Sequence, residues 1–264
     1  MYQATYHKPS SVDAAAAAIA GSEDGTFLAG GQTLLPTMKQ HLAAPSDLID
    51  LRGVGLSGIT VDGSTVTVGA TTTHAEVANS AALASACPGL AKLAGGIGDP
   101  AVRHMGTIGG SIANNDPAAD YPSAVLALGA TIITNTREIA ADEFFTGMFS
   151  TALDEGEIIT AVRFEAPESS AYAKFPNPAS RYAMTGVFVA KTGSGVRVAV
   201  TGAGSDGVFR HAEMEVALAS SWSASALDDL DVSEDGLLSD IHASAAYRAN
   251  LIKVMAQRAV AAAG

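Results

Sequence analysis

The chain has 264 residues, 48% hydrophobic and 16% charged, which suits one large or two modest domains and argues against disorder. Its formal net charge of −12 argues against nucleic-acid binding, which needs a basic surface. The one cysteine excludes an internal disulfide and a self-contained iron–sulfur cluster. Because no signal-peptide pattern or long apolar run appears either, we expect a cytoplasmic protein without a transmembrane segment.

The first fifty residues predict a small β–α–β unit. Residues 10–20 are rich in alanine and predict a helix, with Ser10 as the N-cap. Short apolar runs at 27–29 and 48–51 predict strands, and the first of them leads directly into a pair of glycines.

The middle of the chain alternates between strand and helix signals. Residues 59–69 predict a β-hairpin because Asp62-Gly63 is a strong two-residue turn between alternating apolar residues. Further helices are expected from Thr73 and over 89–95 and 123–128, and further strands over 130–134 and 158–164.

A short polar segment at 166–170 predicts a domain boundary. Three closely spaced strand-like runs follow it, and residues 242–263 predict a closing helix. The last third therefore indicates a small antiparallel sheet with helices, and the whole chain an α+β fold. We expect a first domain over 1–168, with subdomains of about 1–53 and 54–168, and a second domain over 169–264.

Two glycine pairs, Gly30-Gly31 and Gly109-Gly110, each lie beside an apolar run and precede small polar residues. Glycine allows the backbone to approach a phosphate closely and tolerates a positive φ. Candidate partners for phosphate oxygens are Gln32, Thr33 and Ser111, and for ribose hydroxyls Asp116 and Asp120. From the residues alone, two tight turns explain the pairs equally well.

Other kinds of site find little support in the sequence. Neither glycine pair fits the G-x-G-x-x-G fingerprint or a P-loop, which disfavours a Rossmann nicotinamide site. The six histidines are scattered without metal-ligand spacing, and no Ser/His/Asp set has a recognisable context. We therefore predict no metal site and no catalytic residue in this chain.

Two longer stretches resemble a known family. The segments "LAGGQTLLPTMKQHLAAPSDLIDL" and "RHMGTIGGSIANNDPAADYPSAVLALGA" are similar to the FAD-binding medium subunit of molybdenum hydroxylases, which include the carbon-monoxide, xanthine and aldehyde dehydrogenases. "AYAKFPNPASRYAMTGVFVA" matches the start of that subunit's C-terminal domain, and "ASAAYRANLIKVMAQRAV" its closing helix. The resemblance thus covers nearly the whole chain.

The resemblance implies a set of FAD contacts. Two loops, one at 29–33 that continues to Leu35 and one at 107–111, are implied to enclose the pyrophosphate. The residues concerned are Ala29, Gly30, Gly31, Gln32, Thr33, Leu35, Thr107, Ile108, Gly109, Gly110 and Ser111. Outside the loops, Asp120 is implied to hold a ribose or adenosine hydroxyl, Ile97 to lie near the adenine, Ile158 or Ile159 to touch the isoalloxazine ring, and Lys174 and Tyr182 to lie near that ring.

The resemblance also implies the fold and the function. The first domain would be a two-part FAD-binding domain of the PCMH/vanillyl-alcohol-oxidase type, followed by the C-terminal domain of the flavoprotein subunit. The chain would pass electrons from a small subunit with two [2Fe-2S] clusters to an external acceptor. A large subunit with the molybdenum cofactor would hydroxylate the substrate, and a dimer of heterotrimers is implied.

Two alternatives stay open at this point. The chain could be a free-standing FAD-dependent oxidoreductase on the same fold, although it is short for that and shows no convincing base. It could also be a cofactor-free interaction module whose glycine pairs are plain turns. The flavin content and the co-purifying polypeptides distinguish the three hypotheses.

Overall fold

The computed structural model describes residues 1–263, so residue 264, the last of the predicted C-terminal domain, lies outside it. Helices and strands both contribute, and the strands form three main sheets that follow one another along the chain. The α+β class is confirmed.

The N-terminal segment forms a parallel three-stranded sheet in the order β1-β3-β2. Its elements are β1 (Thr5–His7), α1 (Val12–Ala20), β2 (Gly25–Leu28), α2 (Leu34–Lys39) and β3 (Asp47–Asp50), followed by a 3₁₀ turn at Leu51–Gly53. The prediction of Ser10 as the N-cap of α1 is wrong by one residue. Ser11 is the N-cap, because its backbone is extended and its hydroxyl accepts the Ala14 N–H at 3.1 Å.

The second sheet has five antiparallel strands in the order β4-β5-β10-β6-β7. Its strands are β4 (Ile59–Asp62), β5 (Thr65–Gly69), β6 (Thr131–Thr134), β7 (Glu138–Ala140) and β10 (Ile159–Glu165), and a small separate hairpin consists of β8 (Phe145–Gly147) and β9 (Ser150–Thr151). The hairpin predicted at 59–69 is confirmed, and Gly63 supplies the positive φ of its turn, +60°.

Short helices pack against this sheet, and one of them, which begins at Ile108, carries most of the second glycine segment. They are α3 (His74–Asn79), α4 (Ala81–Ala86), α5 (Pro88–Gly95), α6 (Pro100–Met105), α7 (Ile108–Asn114), α8 (Tyr121–Ala127) and α9 (Ala141–Phe144). Their starts are set locally: Thr73 forms a capping box with Glu76, and the Asp99 carboxylate accepts the Val102 N–H.

The C-terminal part is an antiparallel four-stranded sheet in the order β11-β12-β13-β14, covered by two helices. Its elements are β11 (Ser169–Pro176), β12 (Ala183–Thr192), β13 (Gly195–Thr201), β14 (Phe209–Arg210), α10 (Ala212–Ser220), a 3₁₀ turn at Ala224–Leu227 and α11 (Ala245–Ala263). Among the helices of residues 1–263, none combines the length and the apolarity that a membrane crossing requires.

The C-terminal sheet is tied directly to the segment that leads into α8. The Thr201 hydroxyl donates to the carbonyls of Pro117 and Ala119, at 3.1 and 2.6 Å, and the Gly202 N–H donates to Pro117 O at 2.7 Å. Because Asp120 follows immediately, the C-terminal part fixes the backbone at one end of the candidate site.

Candidate functional site

A cleft of about 680 Å³ opens between the N-terminal sheet, the short helices and the C-terminal part. Both glycine segments line it. The wall is formed by parts of residues 26–37, 70–74, 97–120, 153–159 and 180–182, together with Leu51. The fold thus brings segments that are about 80 residues apart in sequence to one cavity.

The first glycine segment offers unpaired backbone donors to this cleft. Within residues 1–263, the N–H groups of residues 30–33 have no hydrogen-bond partner. Gly31 has a φ of +70°, and a Cβ on Gly30 would lie only 2.0 Å from Met105 O. Both positions therefore require glycine, Gly31 for its positive φ and Gly30 for the close approach to Met105. The unpaired N–H groups of this loop suit an anion.

The second segment is a helix start instead of the predicted loop. Thr107 is the N-cap of α7, and its hydroxyl accepts the Gly110 N–H at 3.1 Å. The Ile108 and Gly109 N–H groups donate to the carbonyls of Thr72 and Ala70. The amides of Ile108 and Gly109 are therefore not free to bind a ligand. Gly109 is required by close packing, because an added Cβ would lie 2.7 Å from Ala70.

Two residues at the start of α7 face the cleft itself. Gly110 is exposed there, and an added Cβ would lie 3.7 Å from the Ala29 side chain, so the two glycine segments approach each other closely. The Ser111 hydroxyl is half-buried and makes no hydrogen bond within residues 1–263, which leaves it available to a ligand.

Asp120 lies in the cleft wall as part of a buried polar group. Its carboxylate accepts the Tyr172 hydroxyl at 2.6 Å and pairs with the Lys174 ammonium at 2.9 Å. Burial raises the pKa of Asp120, and the neighbouring ammonium and hydroxyl oppose this rise. Asp120 is the N-cap residue of α8, but its carboxylate makes no capping bond to that helix. Partners from β11 hold it instead.

Apolar side chains and one exposed tyrosine form the rest of the wall. Ile97 is half-buried, Ile158 and Ile159 are almost fully buried, and Tyr182 is 46% exposed. Apolar surface on one side and backbone donors on the other suit a ligand with a flat ring system and a phosphate group.

Three predicted residues lie just behind the wall. The Leu35 side chain packs beneath Gly31, Ile108 is fully buried, and the Lys174 ammonium binds Asp120 and Gly96 O. The other predicted residues line the cleft: Ala29, Gly30, Gly31, Gln32, Thr33, Ile97, Thr107, Gly109, Gly110, Ser111, Asp120, Ile158 and Tyr182.

The cleft also contains polar residues that the sequence did not single out. Arg181 lines the wall with a φ of +64° and donates to Gly98 O. Glu157 is buried there, and the Arg137 guanidinium holds the pKa of its carboxyl well below the usual range despite burial. His74 is buried in the wall with an unpaired ring nitrogen. Glu157 and Arg181 are direct neighbours of the predicted Ile158 and Tyr182, and His74 follows the predicted helix start at Thr73.

Comparisons with known proteins show which family has this architecture. The family model described as the FAD-binding domain in molybdopterin dehydrogenase matches residues 2–167. The carbon monoxide dehydrogenase medium chain of Afipia carboxidovorans is 35% identical over 97% of this chain and 94% of that protein. The nicotine 6-hydroxylase medium subunit of Paenarthrobacter nicotinovorans is 34% identical over 98% of this chain and 96% of its own length.

Solved structures agree in fold. A chain of the Cu,Mo-CO dehydrogenase superposes with a TM-score of 0.90 at 33% identity, covering 100% of this chain and 98% of that one. A chain of quinoline 2-oxidoreductase from Pseudomonas putida 86 gives 0.88 at 28% identity, covering 99% and 96%. The chain therefore belongs to the FAD-binding medium subunits of molybdenum hydroxylases.

This membership confirms FAD as the cofactor and an oxidoreductase role. The chain is an FAD-binding electron-transfer subunit of a multi-subunit enzyme, and the free-standing oxidoreductase is not favoured because the relatives are subunits of complexes. The residues present fit the cofactor. Unpaired N–H groups at 30–33 suit its pyrophosphate, and the apolar wall suits its ring systems.

Proposed function

We propose that the cleft holds FAD with its pyrophosphate between the two glycine segments. The observation that carries this proposal is the row of unpaired N–H groups at residues 30–33, which line the cleft where Gly110 approaches Ala29. The binding set is Ala29, Gly30, Gly31, Gln32, Thr33, Leu35, Thr107, Ile108, Gly109, Gly110, Ser111, Asp120, Ile97, Ile158, Lys174 and Tyr182.

The residues away from the phosphates have different roles. Asp120 accepts a ribose or adenosine hydroxyl, Ile97 lies on the adenine side, and Ile158 contacts the isoalloxazine ring. Lys174 keeps the Asp120 carboxylate charged and oriented, and Tyr182 covers the ring from the open side. FAD supplies the redox chemistry of this subunit, since it exchanges one or two electrons. The chain itself binds and orients the cofactor and excludes water from one face.

The electrons come from other chains in this proposal. Cys87 is the one cysteine, and it is fully buried, so iron–sulfur clusters require a partner. We propose a small subunit with two [2Fe-2S] clusters, a large subunit with the molybdenum cofactor, and a dimer of heterotrimers in the cytoplasm. An external acceptor, whether NAD, a quinone, a cytochrome or oxygen, takes the electrons.

The domain organisation belongs to the same proposal. Residues 1–168 form the FAD-binding domain, with subdomains of about 1–53 and 54–168, and residues 169–264 form the C-terminal domain. The three-stranded, five-stranded and four-stranded sheets fall within these three ranges, which supports the division.

The first test replaces Gly110 with valine. The new side chain would occupy the space between the glycine segments, where a Cβ alone lies 3.0 Å from the Thr107 hydroxyl. We expect FAD affinity to fall about tenfold or more, which corresponds to roughly 1.4 kcal/mol or more. The measurement is titration of the flavin-free chain with FAD, together with identification of the flavin that the untreated protein releases on denaturation.

Gly193→Val is the matched control. Gly193 lies in the turn between β12 and β13 with nothing within 4 Å of an added Cβ, so this variant should bind FAD like the unmodified chain. Equal FAD affinity in both valine variants would contradict the proposed position of the pyrophosphate. A released flavin other than FAD would contradict the cofactor's fit to this cleft.

A further inference from the structure

His74 lies at the point where the two glycine segments meet. It is the first residue of α3, is 5% exposed and lines the cleft. Its backbone N–H donates to Gly106 O at 2.9 Å, and a Cβ on Gly106 would lie 2.5 Å from its Nε2 atom. Gly106 in turn contacts Gly30, whose added Cβ would lie 2.7 Å from Gly106 Cα. The imidazole is therefore packed against the backbone that joins both segments.

Packing alone does not account for a polar ring at this position. Nδ1 of His74 is buried and has no hydrogen-bond partner within residues 1–263, and Nε2, which is not fully buried, makes no hydrogen bond there either. The nearest aromatic ring, that of Tyr121 at 5.2 Å between centroids, also carries a buried hydroxyl without a partner. Buried polar groups nearly always have partners, so an unpaired imidazole in a ligand cleft points to a ligand contact.

The protonation state follows from the surroundings. Burial, together with the charge of Arg103 on α6, lowers the pKa of His74 to about 4. The ring is therefore neutral at physiological pH, with one donor and one acceptor. An unpaired buried acceptor costs less than an unpaired buried N–H, which favours the tautomer with the proton on Nε2, the atom beside Gly106.

We propose that His74 is a cofactor-binding residue whose Nε2–H donates a hydrogen bond to a pyrophosphate oxygen of FAD. This inference rests on the proposed function, because it requires the pyrophosphate to lie between the glycine segments. It adds an imidazole donor to the backbone amides and to the side chains of Gln32, Thr33 and Ser111 already proposed for this site.

The test compares three variants of the full chain in the flavin-free form. His74→Leu removes the donor, His74→Gln restores one, and Tyr121→Phe removes only the neighbouring unpaired hydroxyl. Each is titrated with FAD and with ADP, which carries a diphosphate but no flavin. We expect His74→Leu to weaken both ligands by about 10- to 100-fold, as for a hydrogen bond to a charged group. His74→Gln should recover most of this loss, and Tyr121→Phe should bind both normally.

A stability measurement separates ligand binding from packing. Because His74→Leu removes an unpaired buried polar group, the melting temperature of the flavin-free variant should equal or exceed that of the unmodified chain. A lower melting temperature with normal FAD affinity would show a purely structural role and overturn the proposal. If His74→Leu fails to fold, His74→Gln is compared with His74→Asn, whose side chain is a shorter donor. Equal FAD binding by the unmodified chain and these two variants would overturn the proposal.

The comparison of FAD with ADP, and of His74→Gln with His74→Leu, gives two further outcomes that would contradict the proposal. Weaker FAD binding with unchanged ADP binding would place the contact away from the pyrophosphate and overturn the assignment. An equal loss in His74→Gln and His74→Leu would show that ring shape matters and the donor does not. Failure of the unmodified chain to bind either ligand would instead contradict the proposed function itself.

Discussion

At the scale of single residues, Asp120 shows how a tertiary contact changes the role that a local pattern suggests. It stands directly before a helix with proline at its second position, a place where aspartate commonly caps. Its carboxylate instead accepts the Tyr172 hydroxyl and pairs with the Lys174 ammonium, both from β11. The residue therefore links the C-terminal sheet to the wall of the FAD cleft.

Lys174→Met should destabilise the flavin-free chain strongly, by about 3–5 kcal/mol at pH 8, because it leaves a buried carboxylate without its cation. Burial already raises the pKa of Asp120, and loss of the ammonium raises it more. In the variant, Asp120 therefore becomes protonated as the pH falls. The loss in free energy of unfolding relative to the unmodified chain should then become smaller towards pH 5. Urea unfolding at both pH values measures this.

The matched control is Arg163→Met, which removes one partner of the exposed ion pair with Glu138. Such surface pairs contribute about 0–1 kcal/mol, so this variant should be nearly neutral. The double variant Lys174→Met with Asp120→Asn should recover much of the lost stability, since no buried charge remains. Equal stability of the two single methionine variants would argue against a buried, charged pair.

At the scale of elements, the two glycine segments look alike in sequence and differ in structure. The first is a true loop, because Gly31 takes a positive φ and the amides of 30–33 stay unpaired. The second is the first turn of α7, because Thr107 caps it and the carbonyls of Ala70 and Thr72 take its amides. The acceptors that decide this lie 36 and 39 residues upstream, so no local pattern could indicate them.

One buried arginine links α11 to the C-terminal sheet by hydrogen bonds, beside the apolar residues that α11 buries there. Arg248 is 3% exposed and donates to the carbonyls of Met184 and Gly202 and to the Asp240 carboxylate. Arg248→Met should remove the guanidinium donor from both carbonyls, of which Met184 O keeps the Thr185 hydroxyl, and destabilise the chain by about 2–4 kcal/mol. Thermal unfolding measures the loss, and limited proteolysis shows whether the chain opens at Gly202, directly after β13.

Arg248→Lys is the informative companion variant. A lysine keeps the charge but cannot reproduce the planar fork that reaches two carbonyls and a carboxylate together. We expect it to recover less than half of the loss. Stability equal to that of the unmodified chain in either variant would show that the helix is held by its apolar face alone.

At the scale of the whole molecule, the largest core crosses the proposed domain boundary. It runs from Val66 to Ala199 and includes Tyr172 and Phe188 from the C-terminal sheet. A second core lies between that sheet and α11, and a small third one under the N-terminal sheet. Because one core is shared, the two proposed domains should not unfold independently.

We therefore expect one cooperative unfolding transition. Trp222, the one tryptophan, packs against the second core, whereas bound FAD would report on the cleft. In denaturant, tryptophan fluorescence and FAD release should show the same midpoint at saturating FAD. Two separate midpoints would contradict the coupling through the shared core, and a Tyr172→Phe variant would then show which part loses stability first.

The sequence by itself determined the α+β class, the hairpin at Asp62-Gly63, and, through the family resemblance, FAD and the role of the chain. These depend on local turn chemistry, periodicity and motif order, which can be recognised directly in the sequence. Of the predicted site residues, most line one cleft, and Leu35, Ile108 and Lys174 lie directly behind it.

Only the tertiary structure decided which groups in that cleft are free to bind. The amides of 30–33 are unpaired and those of Ile108 and Gly109 are not, Asp120 is held from β11, and His74 is buried with an unpaired nitrogen. Each of these depends on partners distant in sequence. A residue's type states which hydrogen bonds it can make, but burial and long-range contacts decide which of them the fold leaves for a ligand.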